Sequence, residues 1–435
     1  MSERARGIVI AAPRSGSGKT SITLALANVL SSRGHKIAPA KTGPDYIDPG
    51  FLARAAGHPA INFDPWAMTA ACLRGAASSH CEQRDILLIE GVMGLFDASA
   101  SGTGSTADLA AILDLPVILV VDCDRQAQSI GALISGFAHW REDVSIAGVI
   151  LNSVASPRHE AMLRDAVAQT GIACLGAIPR HEHLALPERH LGLVLAGEIE
   201  GFDAFLSRAS DIARTHIDFA HLETLLAPVA PASLQSDLPP LGQHIAIARD
   251  AAFAFLYPHL LEGWKRAGAT LSFFSPLADE APAARADAIF LPGGYPELHG
   301  AAIANAKAFK SGLIAAKKRG ALIYGECGGF MVLGETLIDK SGTQHRMTGL
   351  LPVTTAIDRP KRVLGYRALG HKSPLPWPGA LLGHEFHYSS AHFENGVASL
   401  FAAKDAQGQP LPPMGIQSGN VMGSYAHVIG ADERA

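Results

Sequence analysis

Three short stretches in the second half of the sequence carry residue types suited to covalent chemistry. "GECGG" sets Cys327 between glycines, after the apolar run "ALIY" and before "FMVLGE". A thiol on a sharp turn from strand to helix is presented to substrate, and the helix N-terminus behind it is expected to lower its pKa. Such a nucleophile needs a base within hydrogen-bond reach. His427, late in the chain in "GSYAHVIG", is the candidate. "LPGGYPE" (Leu291 to Glu297) ends another strand-like run. The backbone N–H groups of Gly293 and Gly294 could form an oxyanion hole for a tetrahedral intermediate.

A second chemistry opens the chain. "APRSGSGKTS" (Ala12 to Ser21) follows a strand-like run and precedes a helix-like one. Gly16, Ser17 and Gly18 supply a loop whose N–H groups can wrap phosphates at a helix N-terminus. Lys19 would reach the β- and γ-phosphates of a nucleotide, and Thr20 would hold Mg²⁺. Pro13 stands where the general pattern has its first glycine. "DILLIEGVMGLFD" ends an apolar strand on Glu90, where a second Mg²⁺ ligand belongs. "KTGPDYIDPGF" crowds Lys41, Asp45, Tyr46 and Asp48 into one loop. That loop suits metal and substrate handling, with Asp45 a third metal candidate; Asp also simply favours turns. Asn152, ending "GVILN", is open to two readings, a base contact or a cap.

These residues need a scaffold that delivers them to one edge. The runs "GIVIAA", "KIAPAKT", "DILLIEG", "PVILVVD", "IAGVILN" and "ACLGAIP" read as buried strands alternating with helices. That rhythm predicts a parallel sheet covered on both faces. A Pro-, Ala- and Ser-rich stretch then breaks the periodicity. A second series follows: "HIAIARD", "ATLSFFSP", "DAIFLPGGYPE", "GALIYGECGG". The expectation is an α/β chain of two domains, 1–228 and 242–435, joined by a linker at 229–241.

Composition narrows the class. A chain of 435 residues is long enough for more than one core. A net charge of −4 gives no basic face for nucleic acid or membrane. The longest apolar runs fall far short of the roughly 20 residues that span a bilayer. "MSERARG" leads straight into a strand, without room for a signal peptide. Five scattered cysteines without a CxxC pair support neither disulfides nor zinc, and point to a reducing cytoplasm. Cys72, Cys81, Cys123 and Cys174 read as packing residues.

Taken together, "LPGGYPE", "GECGG" and "GSYAHV" resemble a class I glutamine amidotransferase domain, flavodoxin-like in fold, of the cobyrinic and cobyric acid synthase group. The first half resembles the dethiobiotin synthetase-like ATP-binding domain of the same group. "KTGPDYIDPGF", "EGVMGLFD" and "GHEFHYS" (Gly383 to Ser389) resemble the cobyrinate and hydrogenobyrinate a,c-diamide synthase family. "INFDPWAM", "LPERHLGL" and "FFSPLADE" are most similar to its branch acting on the cobalt-free ring.

The resemblance implies a glutamine-hydrolysing ligase of cobalamin biosynthesis. Cys327 attacks glutamine's carboxamide, with His427 as base, and ammonia is released. ATP and Mg²⁺ activate the a and c carboxylates of the ring as acyl phosphates, which the ammonia attacks. Lys19, Thr20, Glu90 and Asp45 suit the phosphoryl transfer; Asp48, Tyr46 and Asp97 match family positions near the carboxylate and acyl phosphate, and Lys41 joins Tyr46 at the substrate. The partners are small molecules, with a homodimer left open. Many class I glutaminases carry Glu two residues after the histidine; here Ile429 stands there, so the third member is absent or supplied elsewhere. "HEFH" lacks HExxH spacing and reads as substrate or interdomain contact, or as a satisfied polar strand. The basic Arg359–Arg367 segment reads as a contact for ring carboxylates or a solvated face, and Arg180–His183 as a solvated loop. Rival readings are the same reaction on the cobalt-containing ring, a cobyric acid synthase, a lipid II-type amidotransferase and a partner-switching ATPase.

Overall fold

The computed structural model describes residues 4–181, 201–234, 238–393 and 396–434. The stretch "LPERHLGL" and part of Arg180–His183 lie outside the described residues. The chain divides into two compact units, Met1–Gln235 and Ser236–Ala435. No helix of the described residues is long and apolar enough to cross a membrane.

The first unit is built on β1 (Arg6–Ala11), β2 (Ile37–Thr42), β3 (Ile61–Phe63), β4 (Ile86–Glu90), β5 (Val117–Asp122), β6 (Ile146–Val154), β7 (Ala173–Pro179) and β8 (Ala227–Pro228). Seven strands run parallel in the order β3-β2-β4-β1-β5-β6-β7, and β8 pairs antiparallel with β1. Ile8, Val9 and Ile10 are fully buried, as are Leu87, Leu88 and Ile89. Near-continuous apolar strands are what a sheet covered on both faces requires. Register then decides which polar strand ends meet. β1 and β2 flank β4, so Ile10 and Lys41 both lie opposite Glu90.

The second unit contains β9 (His244–Ala248), β10 (Thr270–Phe274), β11 (Ala288–Leu291), β12 (Leu322–Glu326), β13 (Thr336–Ile338), β14 (Gln344–Arg346) and β15 (Thr354–Ala356). It continues with β16 (Val363–Gly370), β17 (Ala380–His387), β18 (Ser390–His392), β19 (Ser399–Lys404), β20 (Pro410–Ser418), β21 (Val421–Ser424) and β22 (His427–Ala431). Its main sheet runs β10-β9-β11-β12-β21-β20-β19-β16-β17-β22. The part β10-β9-β11-β12-β21 is parallel. In chain order those strands read 2-1-3-4-5, the flavodoxin-like order. The remainder is antiparallel, so the sheet is mixed. β13, β14, β15 and β18 form a separate small sheet. Phe253, Phe309, Phe330 and Leu333 share one buried apolar core with Ile289 and Leu291 of β11 and Ile323 of β12.

Candidate functional site

In the first unit, β1 ends at Ala11, and the helix Lys19–Ser32 begins immediately after Gly18. Gly16 and Gly18 adopt φ of 79° and 86°, a conformation that favours glycine. A side chain on Gly18 would begin 2.3 Å from Asn152 Nδ2. Asn152 instead donates to the Ser17 carbonyl at 3.0 Å, bracing the loop from β6. This brace is a third role, beside the base contact and the cap read from the sequence.

Glu90 is the hub of this pocket and is fully buried. Its Oε1 accepts from Thr20 Oγ1 at 2.6 Å and from Lys41 Nζ at 2.9 Å, and lies 3.6 Å from Lys19 Nζ. Its Oε2 is buried without a hydrogen-bond partner. Lys41, only 2% exposed, also meets Asp48 Oδ2 at 2.8 Å and the Gly91 carbonyl at 3.2 Å. Burial opposes charge on Lys41, but Glu90 and Asp48 outweigh it and hold its pKa above the usual lysine range. Lys19 goes the other way: burial lowers its pKa, against the pull of Glu90.

Asp45 Oδ1 accepts from the backbone N–H groups of Ile47 and Asp48 at 2.7 and 3.2 Å, closing the turn into the helix Asp48–Ala56. Burial, then Asp48, push its carboxyl up to about 6, against Lys41. Tyr46 lies between these residues, half-buried. Asp97 is exposed, and its Oδ2 accepts from Gly94 N–H at 2.8 Å. A side chain on Gly94 would meet both Asp97 Oδ2 and the Pro13 carbonyl at 2.6 Å, so Asp97 borders the phosphate loop. Among the described residues no group of three or more His, Cys, Asp or Glu could hold a metal ion.

In the second unit, Cys327 follows β12 and precedes the helix Gly328–Leu333. Its φ of 47° and ψ of −107° are strained for a side-chain-bearing residue. The Cys327 N–H donates to the Ser424 carbonyl at 2.8 Å, which ties the turn to β21. Three close approaches require glycine around it. A side chain on Gly329 would strike the Leu291 carbonyl at 1.9 Å, and one on Gly294 the Ala252 carbonyl at 2.1 Å. A side chain on Gly293 would begin 2.3 Å from His427 Cε1, 3.1 Å from His427 Nε2 and 3.2 Å from Cys327 Cβ. Cys327, His427 and the Gly293–Gly294 turn therefore converge on one spot.

The electrostatics there reverse one expectation. The Cys327 thiol is not lowered by the helix behind it. Burial pushes its pKa up, Glu297, Glu326 and Glu385 add to the rise, and the Gly328 N–H only partly opposes it. A six-residue helix cannot offset a dry site among carboxylates. Burial also lowers His427 to about 3, with His384 and His387 adding repulsion. The resting pair is a neutral thiol and a neutral imidazole.

Glu326 is the residue that sequence reasoning passed over. It is 1% exposed and lies between the thiol turn and β22. Its Oε1 accepts from Val428 N–H at 3.0 Å, and its Oε2 lies 3.7 Å from His427 Nδ1. The available signal was an apolar strand ending on a carboxylate, as β4 ends on Glu90. "GHEFHYS" resolves as a polar strand with inward partners: Glu385 meets Arg367 Nε at 2.7 Å and His387 Nε2 at 2.8 Å. The His387 ring stacks on Tyr425 at 3.9 Å. Arg359, Lys361 and Arg362 of the basic segment are exposed.

Two family models match the chain, one in each half. A family described as "CobQ/CobB/MinD/ParA nucleotide binding domain" matches residues 8–194, and one described as "CobB/CobQ-like glutamine amidotransferase domain" matches residues 244–435. The protein is thus a two-domain α/β chain, a nucleotide-binding domain followed by a glutamine amidotransferase domain. A hydrogenobyrinate a,c-diamide synthase of Brucella suis is 53% identical over 428 residues, covering 98% of each chain. One of Rhizobium meliloti is 49% identical, covering 98% of this chain and all of its own. One of Rhodobacter capsulatus is 48% identical over 441 residues, covering 99% of this chain. The chain belongs to the hydrogenobyrinate a,c-diamide synthase family.

Proposed function

We propose that the protein amidates the a and c carboxylates of hydrogenobyrinate in cobalamin biosynthesis, using ATP and the amide nitrogen of glutamine. The observation that carries this reading is the pairing, in one chain, of a phosphate loop braced on Glu90 with a strained cysteine turn facing a buried histidine.

In the second unit, Cys327 Sγ attacks glutamine's carboxamide carbon as its proton passes to His427. Neither group is charged at rest, so attack and proton transfer proceed together. The Gly293–Gly294 turn lies beside the reacting centre, where its N–H groups can stabilise the oxyanion. His427 returns the proton to the departing ammonia, and water hydrolyses the thioester. In the first unit, the loop N–H groups and Lys19 hold ATP while its γ-phosphoryl passes to a ring carboxylate. This step depends mainly on positioning and charge neutralisation. Asp48, held by Lys41, and Tyr46, Asp45 and Asp97 border the acceptor carboxylate and the acyl phosphate. Ammonia then displaces phosphate to give the amide.

Thr20 Oγ1 and Glu90 fit Mg²⁺, which takes one or two protein oxygens and completes its shell with phosphate and water. The partnerless Glu90 Oε2 supports this; Asp45 fits less well, because its Oδ1 closes a turn. When bound, the ion neutralises charge on the transferring phosphoryl group. A reducing cytoplasm suits an enzyme with a thiol nucleophile.

The test is amidation with either nitrogen source. Cys327→Ala should abolish glutamine-driven amidation and retain the ammonia-driven reaction, while Lys19→Ala should lose both. Glutamine-driven turnover in Cys327→Ala would remove the nucleophile, and undiminished turnover in Lys19→Ala would remove the phosphate loop.

A further inference from the structure

We infer that Glu326, the residue immediately before Cys327, is the third member of the glutaminase site and acts as a positioning residue for His427. The inference rests on the reading of Cys327 and His427 as nucleophile and base. It fills the position left open by Ile429.

The geometry comes from three segments. Glu326 ends β12 and lies opposite Ser424 of β21 in parallel register. The Ser424 carbonyl accepts the Cys327 N–H, and its Oγ accepts Ala426 N–H at 3.1 Å, shaping the turn that delivers His427. Across that turn, Glu326 Oε1 takes Val428 N–H at 3.0 Å. One carboxylate oxygen thus fixes the backbone beside His427, and the other faces His427 Nδ1 at 3.7 Å. Both side chains are only 2% exposed, so little water intervenes to screen them.

At 3.7 Å the contact is longer than a hydrogen bond but within ion-pair range. Such catalytic contacts often tighten only when charge develops. When the sulfur–carbon bond forms, the thiol proton moves to His427 Nε2 and the carbonyl electron pair moves onto oxygen. The imidazolium then donates from Nδ1 toward Glu326. The proton leaves with ammonia as the carbon–nitrogen bond breaks, and the imidazole returns to neutral. A carboxylate on Nδ1 keeps the Nε2 lone pair aimed at the thiol, as the third group does in other triads.

Burial pushes the Glu326 carboxyl up to about 8, against the Val428 N–H and Tyr324. Tyr324 precedes it on the same face of β12. His427 is faced by His384, its pair on β17, by His387, and by the Phe255 ring at 6.3 Å. Cys327 is faced by Glu297 and Glu385. Glu326 is the carboxylate whose ion-pair contact reaches His427.

Glutamate release from glutamine by Glu326→Gln separates a charge role from a structural one, because Gln can still accept from Val428 N–H. Above about pH 8, where the carboxyl is ionised, the expected result is a fall in kcat of roughly tenfold or more with KM little changed. In the wild type kcat/KM should rise through the region near pH 8 as the carboxyl ionises; in Glu326→Gln that rise should be missing. Wild-type kcat with the wild-type pH profile would overturn the inference. If Glu326→Gln melts early, Glu326→Asp decides: retained charge must retain the pH-dependent rise, and its absence overturns the assignment. Cys327→Ala and His427→Asn are run alongside; glutamate release at the wild-type rate in either would reject the underlying site instead.

Discussion

Lys41 and Glu90 face each other across adjacent parallel strands and meet at 2.9 Å, deep in the first unit. The pair is a consequence of register, and it joins the loop Lys41–Phe51 to the phosphate loop through Thr20. Lys41→Met would leave Glu90 and Asp48 buried without their shared cation. Breaking a buried ion pair on one side costs about 3–5 kcal/mol; Lys19, at 3.6 Å, places the expected loss at the lower end. Urea unfolding should show it, with amidation lost from both nitrogen sources. An unshifted midpoint would mean that Lys41 is not the counter-charge for these groups.

Gly293→Ala tests the convergence of the second site. The new methyl would begin 2.3 Å from His427 Cε1, closer than side chains approach. The imidazole must move, and glutamine hydrolysis should fall at least about a hundredfold, given what positioned general bases contribute. Glutamate release near the wild-type rate would show that His427 does not need its observed place.

The raised Cys327 thiol predicts slow alkylation. Reaction requires thiolate, so iodoacetamide should label Cys327 far more slowly at pH 7 than it labels a free cysteine, accelerating as pH rises. Peptide mass mapping after timed exposure would read this. Rapid labelling at pH 7 would show that the thiolate is stabilised after all.

Asp45 predicts a pH-dependent stability with a definite sign. Its carboxyl is raised to about 6 in the folded chain, against about 3.9 for a free aspartate. The folded state therefore binds the proton more tightly, and ionisation opposes folding. Its contribution should weaken as pH rises from about 4 to about 6, then level off. Asp45→Asn keeps an acceptor for the Ile47 and Asp48 N–H groups but cannot ionise. Relative to wild type it should gain stability across that window in urea titrations. A gap independent of pH would contradict the shift.

Local pattern made much of this legible. The glycines and lysine of the phosphate loop, the apolar strands and the Gly-flanked cysteine announce themselves within a few residues, because tight turns and buried strands leave short-range signatures. What the sequence withheld depends on long-range pairing. "KTGPDYIDPGF" shows a crowd of charges, but only the register of β2 against β4 makes Lys41 the partner of Glu90. Glu326 sits in the most conspicuous motif, yet its direction depends on how β21 and β22 return beside β12. The thiol's raised pKa likewise follows first from burial, to which Glu297 and Glu385, brought in from distant stretches, add. The second sheet's antiparallel half, whose strands after Thr343 mix Pro, Gly and His with half-buried residues, left too weak a periodicity to read.

The most direct test of the central claim is product mass after incubation with ATP, Mg²⁺ and glutamine, using hydrogenobyrinate and, separately, its cobalt-containing counterpart. The account predicts two carboxylates converted to amides on the metal-free ring, with the cobalt ring reacting far more slowly. Preferential amidation of the cobalt ring would contradict the assigned substrate, and no amidation of either would contradict the assignment as a ring diamide synthase.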